Sequence, residues 1–250
     1  MFEASHLQYN IVSGNIQIVS AGHYLPAFWA HPDLGGPFPG LVMLHDHWGL
    51  TAHIRAQAQR FAEQGYYVIA PDLFNRQTAD SEPQAEALIA QVGEAALPRV
   101  MAAFRALLTH HKCNSKIGVL GWGFGGEYAL RTAIYTEDLR ASVNFYSLPD
   151  DLTPAELRTL SDPLLAIYGE QDAGSPPDRM NHLREALAGS DLAHEVIVYP
   201  GVGRDFFNDT NPAFDAAAAE NAWKRALDFL NTHLEVPPPK LDEFRPGAVY

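Results

Sequence analysis

Six short, mostly apolar runs, each separated from the next by a stretch with helical spacing, restrict this chain to one broad architecture. They cover residues 40–45, 66–71, 116–120, 141–146, 164–168 and 194–199. Runs of this kind belong to a parallel sheet covered on both faces, since a half-solvated strand would alternate polar with apolar residues. Between them, residues 52–64, 82–110, 125–136, 176–189 and 213–234 read as helices. In the first, Ile54, Ala58, Phe61 and Ala62 share a face and Gly65 marks the stop. Strands alternating with helices predict an α/β fold built from right-handed crossovers.

The amino-terminal part differs. Residues 8–20 alternate polar and apolar side chains around a Ser13-Gly14-Asn15 turn signal, and residues 26–31 form another extended piece. The first 35 residues therefore read as antiparallel edge strands. With 250 residues the chain is expected to form one domain, with its core at about 8–234. A tail at 235–250 contains Pro237-Pro238-Pro239 and should be semi-rigid and partly extended.

The 30 acidic against 17 basic residues give a net charge of −13, which opposes attraction to nucleic acid or anionic lipid. Neither partner is expected. Residues 1–6 lack a basic region leading into an apolar core, so the expected location is cytoplasmic. The lone Cys113 cannot form an internal disulfide; it falls in a polar turn at 110–114 before a strand and reads as an incidental thiol.

Chemistry concentrates at Gly121-Trp122-Gly123-Phe124-Gly125-Gly126. This segment follows the run at 116–120 and opens a helical stretch, the strand–turn–helix context of a nucleophile elbow. At the place where such an elbow presents Ser or Cys, this chain has Gly123.

Five segments, at 41–50, 65–74, 121–126, 168–172 and 199–203, together resemble the dienelactone hydrolase family in order and spacing across residues 8–234. The resemblance implies an α/β-hydrolase fold: a mostly parallel central sheet, helices on both faces and antiparallel N-terminal edge strands. It also implies a triad of a Cys (Ser in relatives) at the third place of the elbow, an Asp after the sixth core strand and a His after the last. Carried onto this chain, those positions are Gly123, Asp172 and Arg204. Glycine has no side-chain lone pair for attack, and a guanidinium stays protonated and cannot act as general base. Loss of one triad member costs such a unit on the order of four to six decades in rate. The elbow's positive-φ conformation is one that glycine adopts freely.

The resemblance implies a surviving binding apparatus as well. Backbone N–H groups of His47 and Phe124 hold the family's oxyanion-hole positions, and Asp46 stands where the family has a Glu. Arg76 matches a family arginine that contacts a substrate carboxylate. Arg204 would add a fixed positive charge, or pair internally with Asp172 or Asp205. Trp48, Trp122, Phe124 and Phe206 are candidate cleft walls. His45 and His47 are two apart and could share a face, but a strand-end His is more often hydrogen-bonded to backbone, and no metal or cofactor is expected.

Three readings follow. The leading one is a family member without the covalent mechanism that retains a pocket for a small molecule, anionic or lactone-like, acting in binding, in sensing or beside a partner enzyme. The second is an enzyme of altered mechanism, such as water-mediated hydrolysis, lyase or isomerase chemistry, working through Asp46, His47, Arg204 or Asp205. The third is an interaction protein whose tail at 235–250 packs on another subunit, for example in a homodimer.

Overall fold

The computed structural model describes residues 8–20, 22–188 and 192–236. The expected proline-containing tail therefore lies almost wholly outside the described residues. Eight strands form one sheet: β1 (Ile11–Ser20), β2 (His23–Pro32), β3 (Phe38–Leu44), β4 (Tyr67–Pro71), β5 (Cys113–Trp122), β6 (Ala141–Phe145), β7 (Leu164–Gly169) and β8 (His194–Tyr199). Their spatial order is β1-β2-β4-β3-β5-β6-β7-β8. The pairs β1/β2 and β2/β4 are antiparallel and every later pair is parallel, matching the predicted mixture.

Seven α-helices accompany the strands among the described residues: α1 (Ala52–Ala62), α2 (Glu82–Val92), α3 (Ala96–Leu108), α4 (Phe124–Tyr135), α5 (Pro154–Leu157), α6 (Pro177–Leu187) and α7 (Ala216–Leu234). The apolar runs feed two cores at once, because successive strand residues point to opposite faces. Leu41, Met43, Val68, Leu120, Trp122, Val143, Leu165 and Ile167 meet α1 and α7. Val42, Leu44, Ile69, Val119, Leu164 and Ala166 meet the other layer, to which α2, α3, α4 and α6 contribute.

Some expectations are corrected. Ser13-Gly14-Asn15 makes no turn; it lies inside β1, where Gly14 pairs with Trp29 and leaves room for that indole. The chain reverses later, between Ser20 and His23, where Gly22 takes φ +81. The single helix expected at 82–110 is two, α2 and α3, joined by a 3-10 turn at Gly93–Ala95. By length and hydropathy the whole 82–108 stretch could cross a membrane, but Val100, Ala103, Phe104 and Leu107 of α3 are packed in the core. Strand β8 is only half-buried, because it is the last strand of the sheet. Cys113 is the first residue of β5 and is buried, which pushes its thiol pKa up. Helix α5 went unpredicted, although Thr153 and Glu156 form a capping box.

Close packing of α4 onto the sheet explains the glycine-rich elbow. A methyl group at Gly125 would lie 2.5 Å from the His45 carbonyl oxygen and closer still to that of Leu44. One at Gly126 would lie 2.6 Å from Asn144 Oδ1. Backbone carbonyls cannot swing aside as side chains do, so Gly125→Ala should cost about 2–3 kcal/mol through overpacking. A chemical melt should show the midpoint falling at unchanged slope.

Candidate functional site

In an open α/β sheet the carboxyl ends of the strands frame a crevice where the strand order reverses. Here the chain passes from β3 outward to β4 and then back across β3 to β5. Residues 45–48 follow β3, Gly123 follows β5, Asp172 follows β7 and Arg204 follows β8. The topology thus draws together residues that the sequence separates widely.

Gly123 is the N-cap of α4, with φ +50 and ψ −113, a conformation that side-chain-bearing residues rarely adopt. Its amide donates to the Phe145 carbonyl at 2.9 Å, and its carbonyl accepts from the Glu127 amide at 3.0 Å. Phe124 is the first residue of that helix, so helix geometry provides no intrahelical acceptor for its N–H.

Arg204 occupies the ground next to Gly123. A side chain built at Gly123 would place its Cβ 3.2 Å from Arg204 Nη2, 3.9 Å from His47 Nδ1 and 4.0 Å from Asp46 Cβ. Arg204 Nη1 lies 3.6 Å from Asp172 Oδ1. That separation is an ion contact and not a hydrogen bond. Asp172 accepts instead from the Gly174 amide at 2.8 Å, and its Oδ2 is buried without a hydrogen-bond partner. Gly174 is a residue that sequence reasoning missed: a Cβ there would lie 2.6 Å from Arg204 Nη1. The guanidinium therefore packs across two glycines, with the carboxylate of Asp172 beside it. A glycine two residues after the acid position was the available signal.

Asp46 is buried, and its Oδ1 accepts from the Trp48 amide at 2.9 Å. Burial raises its pKa to about 7, with the Asp205 charge adding to the shift and the Trp48 amide and Arg204 opposing it. Asp205 has φ +63, accepts from Asn211 Nδ2 at 3.3 Å, and is also held above the usual carboxylate range by burial, against the pull of His47 and Arg204. His47 lies against Trp48 with the two ring planes tilted by 44° and is 3.6 Å from Glu82; burial lowers its pKa and favours the neutral ring.

His45 and His47 do not converge. The Leu73 amide donates to His45 Nε2 at 3.0 Å, which assigns the proton to Nδ1, 2.7 Å from the Asp46 carbonyl. Both ring nitrogens are thus occupied by backbone. Among the described residues no group of three or more His, Cys, Asp or Glu side chains is arranged to hold a metal ion.

A cleft of about 330 Å³ opens over Gly123. Its floor and sides include His47, Gly123, Phe124, Ser147, Arg204 and Asp205, and α2 covers it with Glu82, Ala85, Glu86 and Ile89. The α2 residues recur at helical spacing, so their common face was legible in the sequence; what that face covers was not. Glu127 completes the lining, giving four carboxyl groups against one arginine. That balance does not favour the anionic ligand expected above.

Asp46 and Trp48 stand beside His47 without lining the cleft, and three further expected site residues lie elsewhere. Trp122 shares strand parity with Leu120 and packs on Phe145 and Phe207 in the core. Phe206 is fully buried against Tyr146 and Tyr199. Arg76 lines a separate depression together with Asp72, Gln77 and Thr78, having φ +68 and an exposed side chain.

Comparison with known proteins gives a consistent picture. Residues 25–234 match the model of the dienelactone hydrolase family. The chain is 30% identical over 241 residues to the "Putative carboxymethylenebutenolidase" of Escherichia coli (strain K12), covering 89% of this chain and 88% of that protein. It is 28% identical to "Protein usf" of Aquifex pyrophilus, covering 88% and 98% respectively. Among solved structures, a "Putative Dienelactone Hydrolase" from Klebsiella pneumoniae superposes with a TM-score of 0.80 at 27% identity, covering 88% of this chain and 98% of the other.

Proposed function

The chain belongs to the dienelactone hydrolase family, and we propose that within it this protein is a small-molecule-binding member without the covalent hydrolytic mechanism. One observation carries this reading: the Arg204 guanidinium packs against Gly123 on one side and Asp172 on the other, across the path along which a nucleophile and its base would exchange a proton. A glycine cannot attack and a guanidinium cannot take a proton near neutral pH. What supports binding is the cleft itself, with Phe124, Ala85 and Ile89 as apolar walls and the Phe124 N–H at the start of α4. A hydrogen-bond acceptor such as a carbonyl oxygen suits that position.

The test pairs an assay with a binding measurement. Purified protein incubated with 4-nitrophenyl acetate and with a dienelactone should release product at the buffer rate. Native mass spectrometry should detect a bound small molecule that is lost when Ile89→Trp fills the cleft. Turnover that disappears in Arg204→Ala or Asp172→Ala would overturn the proposal.

One observation favours the second reading. Asp46, with a pKa near 7 and its Cβ 4.0 Å from the Gly123 Cβ position, is suited to accept a proton from bound water or substrate. Activity of that type would rise with pH through about 7 and vanish in Asp46→Asn.

A further inference from the structure

The sheet ends on one side in a strand that lacks the guards exposed edges carry. Among the described residues β1 pairs with β2 alone, so alternate residues along its outer side point N–H and C=O groups away from the sheet. Natural edges are kept from pairing with other chains by short length, charged side chains, proline or bulges. β1 has none of these. It is ten residues long, contains no proline or charged residue, and keeps an unbroken register with β2. The opposite edge is guarded: β8 has six residues, and its Glu195 is ion-paired with Arg225 of α7.

Charge is missing well beyond the strand. Residues 4–32 contain no Asp, Glu, Lys or Arg, although those residues make up 19% of the chain. A net charge of −13 makes two copies repel wherever their acidic surfaces meet, and the β1–β2 hairpin is where that repulsion is least. The strand is also held in place before any partner arrives. Arg55 of α1 donates to Asn15 Oδ1 at 2.8 Å, and Gln59 Nε2 donates to Ser13 Oγ at 3.0 Å. Both side chains project from one face of the sheet and leave the hydrogen-bonding edge clear. Val19, 66% exposed, and Tyr24, 74% exposed, lie directly opposite each other in the hairpin and add apolar surface beside that edge.

We propose that β1 pairs antiparallel with β1 of a second copy, joining two eight-stranded sheets across a two-fold axis. Two-fold pairing sets the same uncharged segment against itself, so the contact is electrostatically matched by symmetry. A ladder of two ten-residue strands supplies about ten backbone hydrogen bonds, the number an ordinary stable interface carries. The guarded β8 edge closes the assembly at two copies, since head-to-tail contacts between β1 and β8 would grow into a filament. Three strands stand between β1 and β5, so the cleft over Gly123 stays open in each copy.

Sedimentation of the full chain across protein concentration tests this. A dimer is expected, and it should tighten as salt rises, because salt screens the repulsion between two acidic copies. Hydrogen exchange should be slow at alternate amides of residues 11–19 in the dimer and fast at those amides on dilution. Gln17 and Val19 have exposed side chains, so the double variant Gln17→Glu with Val19→Glu should fold, as a thermal melt at low concentration checks. It should weaken the dimer at least about tenfold by placing like charges across the seam. Tyr135→Glu with Phe214→Glu makes the same change in net charge at two exposed residues away from β1 and should leave the dimer largely intact. A monomer at every concentration, species growing past the dimer, or a dimer that survives the Gln17 and Val19 substitutions would overturn the proposal. Equal weakening by the Tyr135 and Phe214 substitutions would also overturn it.

Discussion

Replacing Gly123 with Cys should give a protein that accepts a single acyl group from an activated ester and then stops. The new Cβ would lie 3.2 Å from Arg204 Nη2, and a neighbouring guanidinium lowers a thiol pKa. A thiolate so placed can attack. Deacylation, however, needs a base to activate water, and Arg204 cannot act as one. The side chain must also tolerate φ +50, at a cost of about 1–3 kcal/mol. Adding Arg204→His should convert the single event into turnover, because an imidazole there can face both the thiol and Asp172. Asp172 Oδ2, now buried without a hydrogen-bond partner, would receive the ring N–H. We expect the double variant to exceed Gly123→Cys by about 10²- to 10⁴-fold in steady-state rate, the usual worth of a positioned general base. Burst kinetics with 4-nitrophenyl acetate and the mass of the acyl adduct distinguish the two. If Gly123→Cys alone turned over as fast as the pair, the base would lie elsewhere, and Arg204 would not be the missing element.

The second large effect is on stability, and it has the opposite sign to most substitutions at buried sites. Asp46 has a folded-state pKa raised to about 7 against an ordinary aspartate value near 4 in the unfolded chain. Below both values the group is protonated in either state and contributes nothing. Between them only the folded protein holds the proton, so stability falls as pH rises, and above about 7 the full cost of a buried carboxylate remains. Three pH units correspond to a cost on the order of 4 kcal/mol at pH 8. Asp46→Asn should therefore stabilise the protein by that order at pH 8, leave it nearly unchanged at pH 4, and flatten the profile between. The Asn carbonyl can still accept from the Trp48 amide, which Asp46 Oδ1 does now at 2.9 Å. Urea melts of both proteins across pH 4–8 measure this. A stabilisation independent of pH would mean that packing, and not the buried charge, is responsible. Such a group, kept at a cost to stability beside a cleft, fits a site shaped for binding or proton transfer rather than for folding.

Reading the chain residue by residue went furthest where the physics is local. An apolar run of five or six residues flanked by turn signals is a strand wherever it is placed, and β3 through β7 formed within a few residues of expectation. The elbow was equally legible, since Gly121, Gly125 and Gly126 answer contacts with neighbouring backbone or with Asn144 and Gly123 answers a positive φ. Ser13-Gly14-Asn15 misled because the same dipeptide chemistry that favours a turn is overridden by ten residues of pairing with β2. Trp122 was misplaced for want of parity: two residues beyond Leu120, it had to point to the same face of the sheet.

By itself, the sequence determined that position 123 carries no side-chain lone pair and position 204 no titratable base, because those are properties of glycine and arginine in any fold. It also determined the strand–turn–helix frame around them. Only the tertiary structure decided that Arg204 packs over both Gly123 and Gly174 with Asp172 beside it, that α2 brings Glu82 and Glu86 over the cleft, and that Arg76 faces a different cavity with Arg55. Those are encounters between residues as far apart in the chain as Glu82 and Asp205. They depend on how the strands are ordered and which way each loop turns, and short-range backbone preferences carry no information about either.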